Sequence, residues 1–169
     1  EFRRVLFRSH DFVVDYEAGH DDAGHLLAVK LRFGGRCGAT MDLSPGINDR
    51  TMFHADNCYF LPDVEILSER LKTNTVSATA FRGFGGPQGM LAIERVCDAV
   101  AARLGLDPLD VRMRNLYGPG RDVTPYGMRL EDNIAPQLIA RLRETSAYDA
   151  RREAIAAFNA LRPGQGSCH

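Results

Sequence analysis

The stretch Ala80-Phe81-Arg82-Gly83-Phe84-Gly85-Gly86-Pro87-Gln88-Gly89 sets four glycines, two phenylalanines and one arginine directly ahead of a long amphipathic pattern. Glycine permits positive φ and lets the backbone come close to a neighbour or a ligand. Pro87 suits the first turn of the following helix, where its missing N–H would be unpaired in any case. Unpaired N–H groups at that helix start, together with the helix dipole, favour an anion. Arg82 adds a planar cationic fork suited to phosphate or an oxyanion. Phe84 stands between glycines, so its ring can face a flat ligand. Equally, both rings can plug a core behind a glycine-rich turn. Gln88 stands where the third glycine of a dinucleotide fingerprint belongs, and no lysine followed by Ser or Thr marks a P-loop.

Downstream, Met90, Ile93, Cys97, Val100 and Leu104 recur at helical spacing up to Gly105, which predicts a core stripe and a C-terminal stop. Asp107-Pro108-Leu109-Asp110 predicts a capped helix start. The segment 118–127 reads as a loop. Two helices follow, the first carrying Ile134, Leu138, Ile139 and Leu142, the second starting at Ser146 and carrying Tyr148, Ile155 and Phe158. Arg162-Pro163-Gly164 predicts its end.

Upstream, residues 11–33 predict a hairpin. Phe12, Val14 and Tyr16 alternate with polar residues, as do Leu27, Val29, Leu31 and Phe33, around a turn over 18–24. His20, His25 and the neighbouring aspartates on that turn read as solvated rather than metal-binding. A glycine-dense passage over 34–40 precedes a short helix with Ser44 as N-cap and Pro45 at its first position. Arg50 lies on that helix beside Ile47 and Phe53, where an arginine is by default a salt-bridge partner or a surface charge. Val64 to Leu71 reads as a strand leading to the glycine loop.

At 169 residues the chain amounts to about one domain, with 44% hydrophobic and 25% charged residues. A net charge of −1 argues against nucleic-acid and anionic-membrane binding. No apolar run approaches the roughly 20 residues of a membrane span. Cys37, Cys58, Cys97 and Cys168 show no C-x-x-C spacing, which predicts reduced thiols in a cytoplasmic protein. Residues 1–9 read as the translation of a sequencing adapter. Without them the net charge moves to −3, since they hold three arginines and one glutamate.

The run from Leu71-Lys72-Thr73-Asn74-Thr75 through Phe81-Arg82-Gly83-Phe84-Gly85-Gly86-Pro87-Gln88-Gly89-Met90 resembles the molybdenum-cofactor subunit of the xanthine dehydrogenase family. The resemblance extends from His10 to Asn159, through Asp49-Arg50-Thr51-Met52-Phe53-His54-Ala55-Asp56-Asn57-Cys58-Tyr59 and Tyr148-Asp149-Ala150-Arg151-Arg152. It implies that residues 10–162 are a fragment of the α/β (mixed α+β) molybdopterin-binding domain, strands first and helices second, with 163–169 a truncated tail. Arg50 matches the arginine that faces the purine and stabilises charge on its oxygen, and aldehyde-oxidising relatives typically lack it. Phe84 matches the ring that stacks on the purine. Arg82, Phe81 and Gly83 match the contacts to the molybdenum–molybdopterin centre, with no residue here a direct metal ligand.

The activity implied is hydroxylation of hypoxanthine and xanthine to urate with oxygen from water. Electrons would pass through Fe–S clusters and FAD, carried on a partner subunit or domain, to NAD, and the parent would form a higher oligomer. The family's general-base glutamate has no local match, and neither Glu94 nor Glu131 lies in its motif, so the fragment alone is expected to be inactive. Two alternatives stay open: a related hydroxylase acting on aldehydes or other N-heterocycles, and a non-catalytic fragment that binds an anion or a partner.

Overall fold

The computed structural model describes residues 9–161. Residues 1–8 of the predicted adapter stretch, the helix stop at Arg162-Pro163-Gly164 and the tail 163–169 lie outside the described residues. The chain divides into two units, the first ending at Glu131 and the second beginning at Asp132.

In the first unit β1 (Phe12–His20), β2 (Leu26–Gly38) and β3 (Val64–Lys72) form a three-stranded sheet in that order, β1–β2 antiparallel and β2–β3 parallel. The predicted hairpin is present, but its inward register differs at one end. His20 pairs with Leu26 and Gly19 with Ala28, so a bulge skips Leu27. An inserted residue flips the facing of those beside it. Leu26 is therefore buried while Leu27 is 52% exposed. From Val29 onward the alternation holds, and Val29, Leu31, Phe33 and Cys37 line the core.

The glycine-dense passage proves to be strand as far as Gly38. At Gly35 a side chain has no room, because a Cβ there would lie 2.4 Å from Asn48 Oδ1.

Helix α1 (Ser44–Phe53) carries the chain from β2 to the parallel β3. Ser44 is not its cap: Leu43 holds that position without a side-chain hydrogen bond, and the buried Ser44 hydroxyl instead meets His10 Nε2 at 2.6 Å. Burial lowers the His10 pKa, which favours the neutral ring.

Helix α2 (Gly86–Leu104) ends at Gly105, as predicted, with φ +66. Its buried face runs through Gly89, Ala92, Ile93, Val96, Cys97, Val100 and Ala101. Met90 lies outside it, 38% exposed. The face is turned toward Gly89 because α1 closes against the glycines there. Burial pushes the Cys97 thiol up to about 12, consistent with a packing residue. Helix α3 (Pro108–Asn115) starts as predicted, with the Asp107 carboxylate accepting from Leu109 N at 2.8 Å.

Polar side chains fasten these helices together. Glu94 accepts from Tyr59 Oη at 2.6 Å, Asn57 Nδ2 at 2.9 Å and Arg112 Nε at 2.6 Å. Tyr117 Oη donates to the buried Asp56 at 2.6 Å, and burial raises the Asp56 pKa. Tyr117→Phe leaves that carboxylate without the donor and is expected to cost about 1–3 kcal/mol. A raised carboxyl pKa means stability is lost as pH rises through it. The loss in Tyr117→Phe should therefore shrink toward acid pH, and Asp56→Asn should not destabilise at pH 7. Thermal melts at two pH values check both. A pH-independent loss would contradict the reading.

The second unit holds α4 (Ala135–Thr145) and α5 (Tyr148–Ala160). The link is Ser146 and Ala147, the latter at φ +50, so α5 begins after Ser146 and has no side-chain cap. Arg143 binds Asp149 across it at 2.7 Å. The predicted apolar stripe is solvent-facing here: Ile134, Leu138 and Leu142 are more than half exposed, and no residue of either helix is buried.

Candidate active site

The predicted loop meets α1, and the glycines explain how. A Cβ on Gly85 would lie 2.0 Å from the Ile47 carbonyl oxygen, and one on Gly89 2.2 Å from that of Thr51. Backbone thus sits on backbone. Thr51 Oγ1 closes the contact by reaching the carbonyls of Ile47 at 2.9 Å and Gly85 at 3.0 Å. The close approach that the glycines permit is to a helix of the same chain.

Arg50 and Phe84 both border that contact, at separate points. Gly46 and Arg50 share one face of α1, and His54, its C-cap residue, follows four residues after Arg50. A Cβ on Gly46 would lie 3.2 Å from the Phe84 ring. A Cβ on Gly86 would lie 2.6 Å from His54 Cδ2 and 3.7 Å from Arg50 Nε. Arg50 Nε therefore lies on the Gly86 side of the contact beside the His54 ring, while at Gly46 only the Phe84 ring comes within 4 Å. Phe84 is half-buried and takes φ +50, an uncommon conformation for a bulky residue.

Arg50 and Arg82 are both exposed, and among the described residues neither forms an ion pair. By contrast Arg32, Arg36, Arg70 and Arg112 are each paired with carboxylates. Phe81 is 70% exposed. Gly83 holds φ +78, and a Cβ there would strike the Pro87 ring at 2.5 Å. The helix start offers fewer donors than its composition suggests. Gly86 N–H is taken by the Gly83 carbonyl at 3.0 Å, and Pro87 has none. Attraction for an anion therefore rests mainly on Arg82. In the first turn of α2 the Gln88 Oε1 atom is buried without a hydrogen-bond partner among the described residues. A cationic loop beside an unsatisfied acceptor fits a ligand carrying both phosphate and N–H groups, as a pterin phosphate does.

Sequence reasoning passed over Gly46 and His54. Their four-residue spacing about Arg50 was the available signal, but it acquires meaning only once the glycine loop is known to lie against α1.

A family model for the molybdopterin cofactor-binding domain matches residues 6–116. Xanthine dehydrogenase/oxidase of Felis catus is 39% identical over 150 residues, covering 89% of this chain and 11% of that protein. Nicotinate hydroxylase of Emericella nidulans is 39% identical over 151 residues, with the same two coverages. Among solved structures, aldehyde oxidoreductase from Desulfovibrio gigas superposes with a TM-score of 0.76 at 30% identity, over 89% of this chain and 16% of that one. The chain spans about a tenth of the length of the curated relatives it matches. The chain belongs to the molybdopterin cofactor-binding domain family of the molybdenum hydroxylases, whose cofactor is molybdenum held by molybdopterin.

Proposed function

We propose that the chain is a segment of a larger, cytoplasmic purine hydroxylase of the xanthine dehydrogenase type. In this reading Fe–S clusters and FAD on a partner subunit or domain carry electrons to NAD, and the whole enzyme is a higher oligomer. The observation that carries the reading is that the contact of α1 with the glycine loop holds both an exposed Arg50, which has no ion pair among the described residues, and the Phe84 ring. A flat heterocycle lying on Phe84 would present an edge oxygen to Arg50. Arg50 then donates to that oxygen as negative charge gathers on it, a contribution often worth about 3 kcal/mol at such sites. Arg82, Phe81 and the backbone at Gly83 would hold the cofactor, which when bound supplies oxidative hydroxylation with oxygen from water. Glu94 is committed to Tyr59, Asn57 and Arg112, so the proton acceptor would come from elsewhere in the larger enzyme.

A second reading has one observation in its favour. The nicotinate hydroxylase is as similar as the xanthine enzyme, and an arginine fork also matches a carboxylate. Molybdenum and pterin analysis of the full-length protein, followed by turnover of xanthine, nicotinate and an aldehyde, separates the readings. The proposal expects one molybdenum per chain and xanthine as the best of the three substrates. Nicotinate as the best would select the second reading.

Phe84→Ala is expected to be mild for the fold. Half the benefit of burying a phenylalanine is about 1 kcal/mol. Lost stacking should weaken purine turnover by roughly a further 0.5–1.5 kcal/mol. Melting curves and steady-state kinetics check this together. A large fall in melting temperature with unchanged kinetics would make Phe84 a core plug.

A further inference from the structure

We infer that His54 is the positioning residue for Arg50. The inference rests on the reading that Arg50 contacts substrate. His54 lies four residues beyond Arg50 on α1, and its imidazole occupies the space over Gly86, where a Cβ would come within 2.6 Å of Cδ2 and 3.4 Å of Nε2. Arg50 Nε borders the same spot at 3.7 Å. The ring therefore fills the niche into which the guanidinium would otherwise fold back. With that niche filled, Arg50 Nε is held at its border beside the imidazole, while the Phe84 ring rests on Gly46 at the other end of the stripe.

The base on which His54 stands is itself fixed. His54 is the C-cap residue of α1, and its N–H donates to the Arg50 carbonyl at 3.1 Å. Thr51 pins the same turn to the Gly85 carbonyl. Gly86 is the matching half of the device, because any side chain there would expel the imidazole. The sequence supplies no bulky alternative in the niche: Gly85, Gly86 and Gly89 present only backbone to α1.

The test uses the full-length molybdenum enzyme. His54→Ala opens the niche and lets Arg50 leave its place beside the ring. A displacement of about 1 Å in a substrate-positioning group is expected to lower kcat for xanthine about ten- to a hundredfold. Aldehyde turnover, which needs no oxygen partner at Arg50, should stay near wild type. Molybdenum and pterin content should be unchanged. His54→Gln, which keeps a planar group over Gly86, should restore most of the xanthine rate. The double variant Arg50→Met/His54→Ala should be no worse than Arg50→Met alone, since a positioning residue has nothing left to position. Should His54→Ala not accumulate as holoenzyme, His54→Thr carries the same expectations at lower amplitude. Equal loss on both substrates, or full additivity with Arg50→Met, would overturn the inference and leave the role of Arg50 standing. An Arg50→Met enzyme with an unchanged xanthine-to-aldehyde ratio would remove the substrate role of Arg50, and this inference with it.

Discussion

Gly85→Ala is expected to lower the melting temperature by roughly 10 °C or more. Two costs combine. The backbone at residue 85 has φ +92, where an L side chain is strained by about 1–2 kcal/mol. The larger cost is steric. The added methyl would lie 2.0 Å from the Ile47 carbonyl oxygen and 2.8 Å from Thr51 Oγ1. A backbone carbonyl cannot swing aside, so α1 and α2 must separate. That exposes Ile47 and Ile93, which are buried in this contact region, and lengthens the hydrogen bond from Thr51 to Gly85. Overpacking of this kind costs about 1–3 kcal/mol or more, so the sum is a large share of the roughly 5–15 kcal/mol that holds a domain together. Gly105→Ala is the internal control. It has a similar φ of +66 but nothing within 4 Å, so it should lose only the backbone part, about 1–2 kcal/mol. Equal shifts in the two variants would mean that the α1–α2 contact is looser than described.

Arg50→Met in the full-length enzyme is expected to cut kcat for xanthine by about 10²–10³ while leaving aldehyde turnover intact or improved. The fold gives no reason for a general loss. Arg50 is exposed, carries no ion pair among the described residues, and methionine keeps much of its length and its helix propensity. The missing interaction is a donor to an oxygen whose charge grows in the transition state, so the loss should fall on kcat more than on KM. Equal loss with both substrates would show Arg50 to be holding the fold or the cofactor.

The sequence reveals the elements better than it reveals their meeting points. The strand read over 64–71, which runs one residue further in the structure, the stop at Gly105 and the cap at Asp107 follow from local chemistry. Local patterns misplace what depends on distant neighbours. Leu26 rather than Leu27 is buried because of a bulge set by the pairing with β1. Ser44 serves His10, which lies 34 residues away, instead of capping its own helix. Met90 belongs to the right period but the wrong flank, because the glycines draw α1 onto the other side. The second-unit stripe has the period of a core and none of the burial.

The candidate site follows the same division. Arg50 and Phe84 come from the family resemblance, and composition alone leaves the first as a surface charge and the second as an even choice between pocket and core. That both border one contact is a tertiary feature. It depends on Gly46, Gly85, Gly86 and Gly89 having no side chain where α1 meets the loop, and no linear pattern connects residue 46 to residue 84.

The most direct test is the crystal structure of the full-length enzyme with xanthine bound under non-turnover conditions. The account predicts an Arg50 guanidinium nitrogen within about 3.2 Å of a purine oxygen. It also predicts the purine plane stacked on the Phe84 ring, which should keep its contact with Gly46. Xanthine bound with Arg50 beyond about 4 Å from every purine oxygen, or with the Phe84 ring turned into the core, would contradict it.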